Sequence, residues 1–161
     1  MSTDCSEIAK ISKKFGAEVP FLRDKNISDD KTHVYQVVKD FLKKITKLNK
    51  KKITFTCVIY PATPLLNSKD LIKSFKILKK GYNYVFSVMQ FAHPIQRGFY
   101  LNRNMMPKMI NKKHYSSRSQ DLKKVYHDAG QFYWGKTKSF IRNDDLISKK
   151  TFSYVLKTGS V

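Results

Sequence analysis

Tyr60, Thr63, His93, Gln96, Arg97, Tyr126, His127, Asp128 and Gln131 bring hydroxyl, amide, imidazole, guanidinium and carboxylate groups together with aromatic rings. That mixture suits a polyhydroxylated ligand. Hydroxyls need donors and acceptors, and ring faces need aromatic or aliphatic walls. An acidic sugar also needs a cation for its carboxylate, and Arg97 and Arg118 are candidates through bidentate pairing. His127 beside Asp128 has the makings of an acid–base pair, but adjacent residues rarely face one another. His93 before Pro94 equally serves to shape a turn. Arg118 and Asp121 equally serve as a surface ion pair of small worth. Asp29-Asp30 and Asp144-Asp145 read as solvated loop acids, so no metal site is expected from them. There is no P-loop, dinucleotide-binding glycine motif, zincin helix motif or EF-hand loop. The residues alone identify no catalytic group.

Such side chains need elements to hold them. Asp4 and Glu7 have the D-x-x-E spacing of a capped helix start, Ile8, Ile11 and Phe15 follow at helical spacing, and Gly16 is a natural stop. Residues 17–22 read as a short strand broken by Pro20, and residues 23–31 as a loop. Val34, Val37, Val38, Phe41, Leu42, Ile45 and Leu48 trace one helical face. Residues 53–60 are β-branched and aromatic, which predicts a central strand buried on both faces, stopped by Pro61 and Pro64. Ser68 is expected to cap a second amphipathic helix through Leu71, Ile72, Phe75 and Leu78, ended by Gly81. Residues 84–91 form the next strand. Strand, helix and strand in that order predict a βαβ unit with parallel neighbours. Further on, residues 96–101 and 131–134 read as strands, residues 102–119 as a polar excursion, and residues 152–156 as a strand or helical turn. Ligands of open α/β sheets bind beyond the carboxyl ends of parallel strands. Tyr60 to Pro64, His93 to Arg97 and Asp128 to Gln131 are expected there.

Length and composition fit this picture. A chain of 161 residues with 41% hydrophobic content supports one α/β domain over residues 1–161. Cys5 and Cys57 lie far apart, and neither belongs to a zinc-binding or redox motif. The polar N-terminus has no signal pattern, and no apolar run reaches the roughly 20 residues of a membrane span. A cytoplasmic protein without membrane contact is expected. The net charge of +20 suggests a polyanionic partner. Its densest stretch is Lys43, Lys44, Lys47, Lys50, Lys51 and Lys52, which also reads as a solvated helix end complementing the helix dipole. A nucleic-acid-binding module is therefore an alternative, though not the expected one.

The residues also carry a resemblance. Ser2-Thr3-Asp4, Glu7-Ile8-Ala9, the run from Lys14 to Arg23, and Ser28-Asp29-Asp30 resemble the early part of the acylneuraminate-type cytidylyltransferases. Tyr60-Pro61-Ala62-Thr63-Pro64 is similar to their x-P-T-x-P segment with two positions exchanged. Phe86-Ser87-Val88, Pro94-Ile95-Gln96-Arg97, Arg118-Ser119-Gln120-Asp121-Leu122 and the run YHDAGQFYWG from Tyr126 to Gly135 look like the pseudaminic acid branch. The resemblance implies transfer of CMP from CTP to a nine-carbon ulosonic acid with release of pyrophosphate. The implied fold is a Rossmann-like nucleotidyltransferase with three layers and a mainly parallel sheet, usually dimeric. It implies nucleotide contacts at Arg23, Thr32 and Thr63. It implies sugar contacts at Tyr60, Gln96, Arg97, Arg118, Gln120, Asp128 and Gln131. The family uses Mg²⁺, but its late Asp-x-Asp metal pair and its first strand with the phosphate-cradling loop have no match in this chain. A weak or inactive fragment is therefore expected, associating with itself or with a complementing piece. A non-catalytic remnant is the third reading.

Overall fold

The computed structural model describes residues 1–50, 52–157 and 159. Lys51 of the basic stretch and residues 160 and 161 lie outside the described residues. Four α-helices are described: α1 (Ser6–Lys14), α2 (Val34–Asn49), α3 (Ser68–Leu78) and α4 (Thr137–Arg142). The strands are β1 (Phe55–Ile59), β2 (Tyr84–Gln90), β3 (Phe99–Leu101), β4 (Pro107–Met109), β5 (Tyr126–Lys136) and β6 (Thr151–Val155).

Four strands form one sheet in the order β1-β5-β2-β6. Strand β5 runs antiparallel to both β1 and β2, and β2 runs parallel to β6. Strands β1, β2 and β6 therefore share one direction, and β5 alone opposes them. The sheet is mixed. The βαβ reading gave the right direction for β1 and β2, but β5 lies between them, so they are not neighbours. A strand-helix-strand pattern fixes relative direction, and it carries no information about a later strand that inserts. Strand β1 is also not central. Among the described residues it pairs only with β5, and Ile59 is half exposed. Its continuous apolar run reflects cover from helices on its two faces rather than a strand on either side.

Three layers result. Alternation along β2 sends Tyr84, Phe86 and Val88 to one face, where Leu42 of α2, Phe140 of α4 and Tyr133 of β5 complete the main core. Tyr35, Val38 and Ile45 extend the α2 stripe onto that core, as the helical spacing predicts. The other face takes α3. Trp134 stacks near Phe75 at 4.8 Å, and its indole N–H donates to the Leu71 carbonyl at 3.1 Å. Tyr154 of β6 donates to Asp70 at 2.7 Å. Burial pushes the Cys57 thiol up to about 12, which makes it an inert core group.

Local corrections follow from hydrogen bonding. Asn67, not Ser68, caps α3, accepting from the Lys69 N–H at 2.9 Å. Asp4 does not cap α1; its carboxylate pairs instead with the Arg23 guanidinium at 2.9 Å. Residues 17–22 form no strand, since no ladder partner meets them and Pro20 offers no N–H. The strand expected at residues 96–101 is confined to β3 after a 3-10 turn at Ile95–Arg97, the polar excursion supplies its hairpin partner β4, and α4 is an element that the sequence pattern did not suggest.

Candidate functional site

The run YHDAGQFYWG is strand β5, and within it lies a bulge. Phe86 pairs with Tyr133, but Val88 pairs with Asp128. Ser87 alone therefore opposes residues 129–132. Fully buried, the Ser87 hydroxyl serves as the bulge's internal partner. It accepts from the Gln131 N–H at 3.3 Å and the Phe132 N–H at 3.2 Å, and donates to the Phe132 carbonyl at 3.3 Å. Gly130 sits at φ +64, a left-handed conformation that glycine adopts without strain, and this returns its N–H to Asp128 Oδ1 at 2.8 Å. Asp128 Oδ2 accepts from the Tyr133 hydroxyl at 2.7 Å. The carboxylate thus ties the two ends of the bulge together.

The bulge also reaches β1. The Tyr60 N–H donates to the Gln131 carbonyl at 3.1 Å, so Tyr60 leaves the end of β1 beside the bulge. Its ring lies 5.1 Å from that of Tyr133. Because β5 is antiparallel, its amino end lies at the carboxyl ends of β1 and β2. Asp128 is therefore on the expected edge, although within a strand rather than after one. An inner cavity of about 130 Å³ there is lined by Val34, Tyr35, Val38, Val58, Tyr60, Asp128, Tyr133, Phe140 and Leu146. Burial, then the nearby Tyr60 and Asp128, hold the Tyr35 phenol above its ordinary range. Burial, then the hydrogen bond to Asp128, do the same for Tyr133. A side cavity of about 260 Å³ takes Asp128 and Leu146 as shared walls and adds Tyr126, His127, Ser148, Thr151 and Ser153.

The other candidates divide. Gln131 is buried in the bulge and anchors it through its backbone. Thr63 turns back, its hydroxyl donating to the Tyr60 carbonyl at 2.7 Å. Gln96 and Arg97 gather around the 119–123 turn. The Gln96 amide donates to the Lys123 carbonyl at 2.8 Å, and Arg97 donates to Ser119 at 3.0 Å. The Gln96 Oε1 is buried with no partner. Gln120 lines an outer cavity of about 310 Å³ with His93 and Pro94, which shares no residue with the inner one. Arg118 is exposed beside it, and its carbonyl accepts from the Asp121 N–H at 3.1 Å in place of a side-chain ion pair. Arg23 and Thr32 sit elsewhere. Arg23 is engaged by Asp4 and Ser28, and Thr32 by Asp29. The Asp29 carboxyl accepts from the Lys31 and Thr32 N–H groups, which holds it below the usual range and makes it a turn former. Asp144 pairs with Arg142 at 2.7 Å, which lowers its carboxyl. The His127 Nδ1 donates to the Asp128 backbone carbonyl at 2.9 Å, and its ring leans on Phe91, so His127 does not pair with the carboxylate. Tyr35, Ser87 and Tyr133 were not among the candidate site residues, although Ser87 and Tyr133 lie within the quoted motifs. A glycine inside a strand pattern, Gly130, is the signal that finds the bulge.

A pocket walled by aliphatic and aromatic side chains around one carboxylate, at the carboxyl edge of a mixed sheet between helical layers, fits the build of a Rossmann-like nucleotidyltransferase. A solved CMP:2-keto-3-deoxy-manno-octonic acid synthetase complexed with CTP shares this fold. It aligns at a TM-score of 0.56 and 10% identity over 96% of this chain and 71% of its own. Residues 1–158 match the cytidylyltransferase family. A pseudaminic acid cytidylyltransferase of Campylobacter jejuni is 40% identical over 100% of this chain and 69% of its own length. A Helicobacter pylori protein that joins such a cytidylyltransferase to a hydrolase is 32% identical over 97% of this chain and 30% of its own. The chain belongs to the cytidylyltransferase family, whose members are nucleotidyltransferases. Among the described residues, no helix is long and apolar enough to cross a membrane.

Proposed function

We propose that this chain, as a single cytidylyltransferase domain over residues 1–161, handles CTP and a nine-carbon acidic sugar of the pseudaminic acid type in the cytoplasm. The product would be the CMP-sugar, with release of pyrophosphate. The observation that carries this reading is the meeting of Tyr60 and Asp128 at one cavity on the carboxyl edge of the sheet. There, aromatic walls stand beside a fixed acceptor. The orphaned Gln96 Oε1 supports a second contact, since a buried acceptor without a partner calls for a ligand donor. Arg97, Arg118 and Gln120 would supply cation and amide contacts at the outer edge. Arg23, Thr32 and Thr63 would serve the nucleotide by resemblance. Gln131 would act through the bulge that it anchors.

The metal of this chemistry is Mg²⁺, which binds through one or two carboxylates together with substrate phosphates. Among the described residues no group of three acidic, imidazole or thiol side chains is placed to hold an ion, and both Asp128 oxygens already have donors. What these residues do is bind and orient, which is a large share of phosphoryl-transfer catalysis.

A homodimer fits the exposed hairpin. Phe99, Tyr100 and Leu101 of β3, with Met105 and Met106 at its tip, leave an apolar surface uncovered. Sedimentation is expected to show a dimer that the double variant Leu101→Asp, Met106→Asp dissociates. A monomeric wild type would count against it.

The functional reading is tested by thermal melting with CTP and by pyrophosphate release. CTP at a hundred times its Kd is expected to stabilise the fold by about 2.7 kcal/mol. Any pyrophosphate release should require pseudaminic acid as well as CTP. No CTP shift, with a steeply salt-dependent shift on DNA instead, would point to nucleic acid.

A further inference from the structure

Asp128 is the one acidic residue in the walls of both the inner and the side cavity. Its two oxygens are held from opposite ends of the bulge, one by the Gly130 N–H and one by the Tyr133 hydroxyl. The Tyr133 ring is itself fixed. It stacks on Phe86 with an interplanar angle of 2° and meets Tyr60 on its other contact. The phenol is buried, and the Asp128 carboxylate is its partner.

We infer that Tyr133 is a positioning residue: its O–H holds Asp128 as an acceptor-only post for the hydroxyl or acylamino N–H groups of the sugar. A carboxylate cannot donate, and each of its oxygens keeps a lone-pair site beyond the bond already made. A ligand hydroxyl or amide N–H can use that site. The ligand's own carboxylate cannot, because it would meet a like charge. Asp128 therefore marks the neutral, donor-rich side of an acidic sugar, and the sugar carboxylate belongs elsewhere. A residue at the head of a bulge would otherwise swing between rotamers. The bond across the bulge selects one, and pre-set geometry of this kind reduces the ordering cost of binding.

The inference rests on the reading of Asp128 as a sugar contact, and the test separates the two. Affinities for pseudaminic acid and for CTP are measured by calorimetry on the wild type, Tyr133→Phe and Asp128→Ala, with KM and kcat alongside. Asp128→Ala is expected to weaken the sugar at least about tenfold. Tyr133→Phe keeps the ring stack and is expected to weaken the sugar about three- to tenfold. CTP affinity should stay unchanged in Tyr133→Phe, and its melting temperature should fall only by what one lost hydrogen bond costs. Wild-type sugar affinity in Asp128→Ala, or no sugar binding by the wild type, overturns the underlying reading and the inference with it. Weak binding by Asp128→Ala with wild-type binding by Tyr133→Phe overturns the positioning role alone. So does a Tyr133→Phe variant that loses CTP affinity and melting temperature together. A structure of Tyr133→Phe gives a ligand-free check: an unmoved Asp128 carboxylate also overturns the role.

Discussion

Gly135→Val is expected to lose at least about 3 kcal/mol of stability, an overpacking cost at the upper end of the usual range. A Cβ at position 135 would lie 2.6 Å from Phe140 Cε2 and 2.7 Å from Tyr84 Cδ1. Tyr84 has no room to retreat, and Phe140 can move only toward the inner cavity that it lines. Tyr84 is fully buried, its hydroxyl is bonded to the Asp144 carbonyl at 3.2 Å, and the two rings pack edge to face at 5.1 Å. The strand pairs position 135 with both Thr56 and Tyr84, so the backbone is fixed from two sides. Against a typical total of about 5–15 kcal/mol, the loss is large. It corresponds to a melting temperature lower by roughly 6–12 °C for a chain of this size. Urea melts of Gly135→Ala and Gly135→Val should rank by added volume. Wild-type stability in the valine variant would mean that Phe140 and Tyr84 do not meet over this glycine. Because Phe140 also lines the inner cavity, the displaced ring is expected to narrow the site.

The sequence made some of this architecture legible and not the rest, for reasons that lie in particular residues. The helical stripe from Val34 to Leu48 was readable because one face meets the core, and Leu42 and Val38 repeat at a spacing that nothing else explains. Strand β2 was readable because both its faces are covered. The position of β5 was not. Its pairing with β1 and β2 depends on contacts between residues 36 to 81 positions apart, such as Ile59 with Phe132 and Tyr84 with Gly135, and local periodicity carries no trace of them. The short α4 escaped because six residues are too few to show a period. At the site, strand-end chemistry marked Tyr60, Asp128 and Gln131, the resemblance agreed on them, and the fold brings all three to one bulge. Resemblance alone supplied Arg23 and Thr32, which the fold holds in their own loop contacts. Ser87 and Tyr133 were inside quoted motifs, yet their roles depend on a register shift that only the paired strands reveal.

That register shift makes Ser87 the position where one atom matters most. Ser87→Ala removes a hydroxyl and leaves the shape nearly unchanged. The Gln131 and Phe132 N–H groups then lose their acceptor in a place that water does not reach. An unsatisfied buried donor costs about 1–3 kcal/mol, so two that share one acceptor are expected to cost about 2–4 kcal/mol together. The loss should appear as a lower urea midpoint with an unchanged slope, which marks lost stability rather than a different unfolded state. Two further readouts tie the effect to the bulge. Amide exchange at Gln131 and Phe132 should speed up more than at Val85 or Trp134, in the regular part of the same strand pair. Sugar affinity should fall with it, since the bulge that loosens is the one that Asp128 heads and that Tyr60 joins through the Gln131 carbonyl. A Ser87→Ala variant with wild-type midpoint and unchanged exchange at residues 131 and 132 would show that the bulge holds itself. The placement of Asp128 would then need another cause.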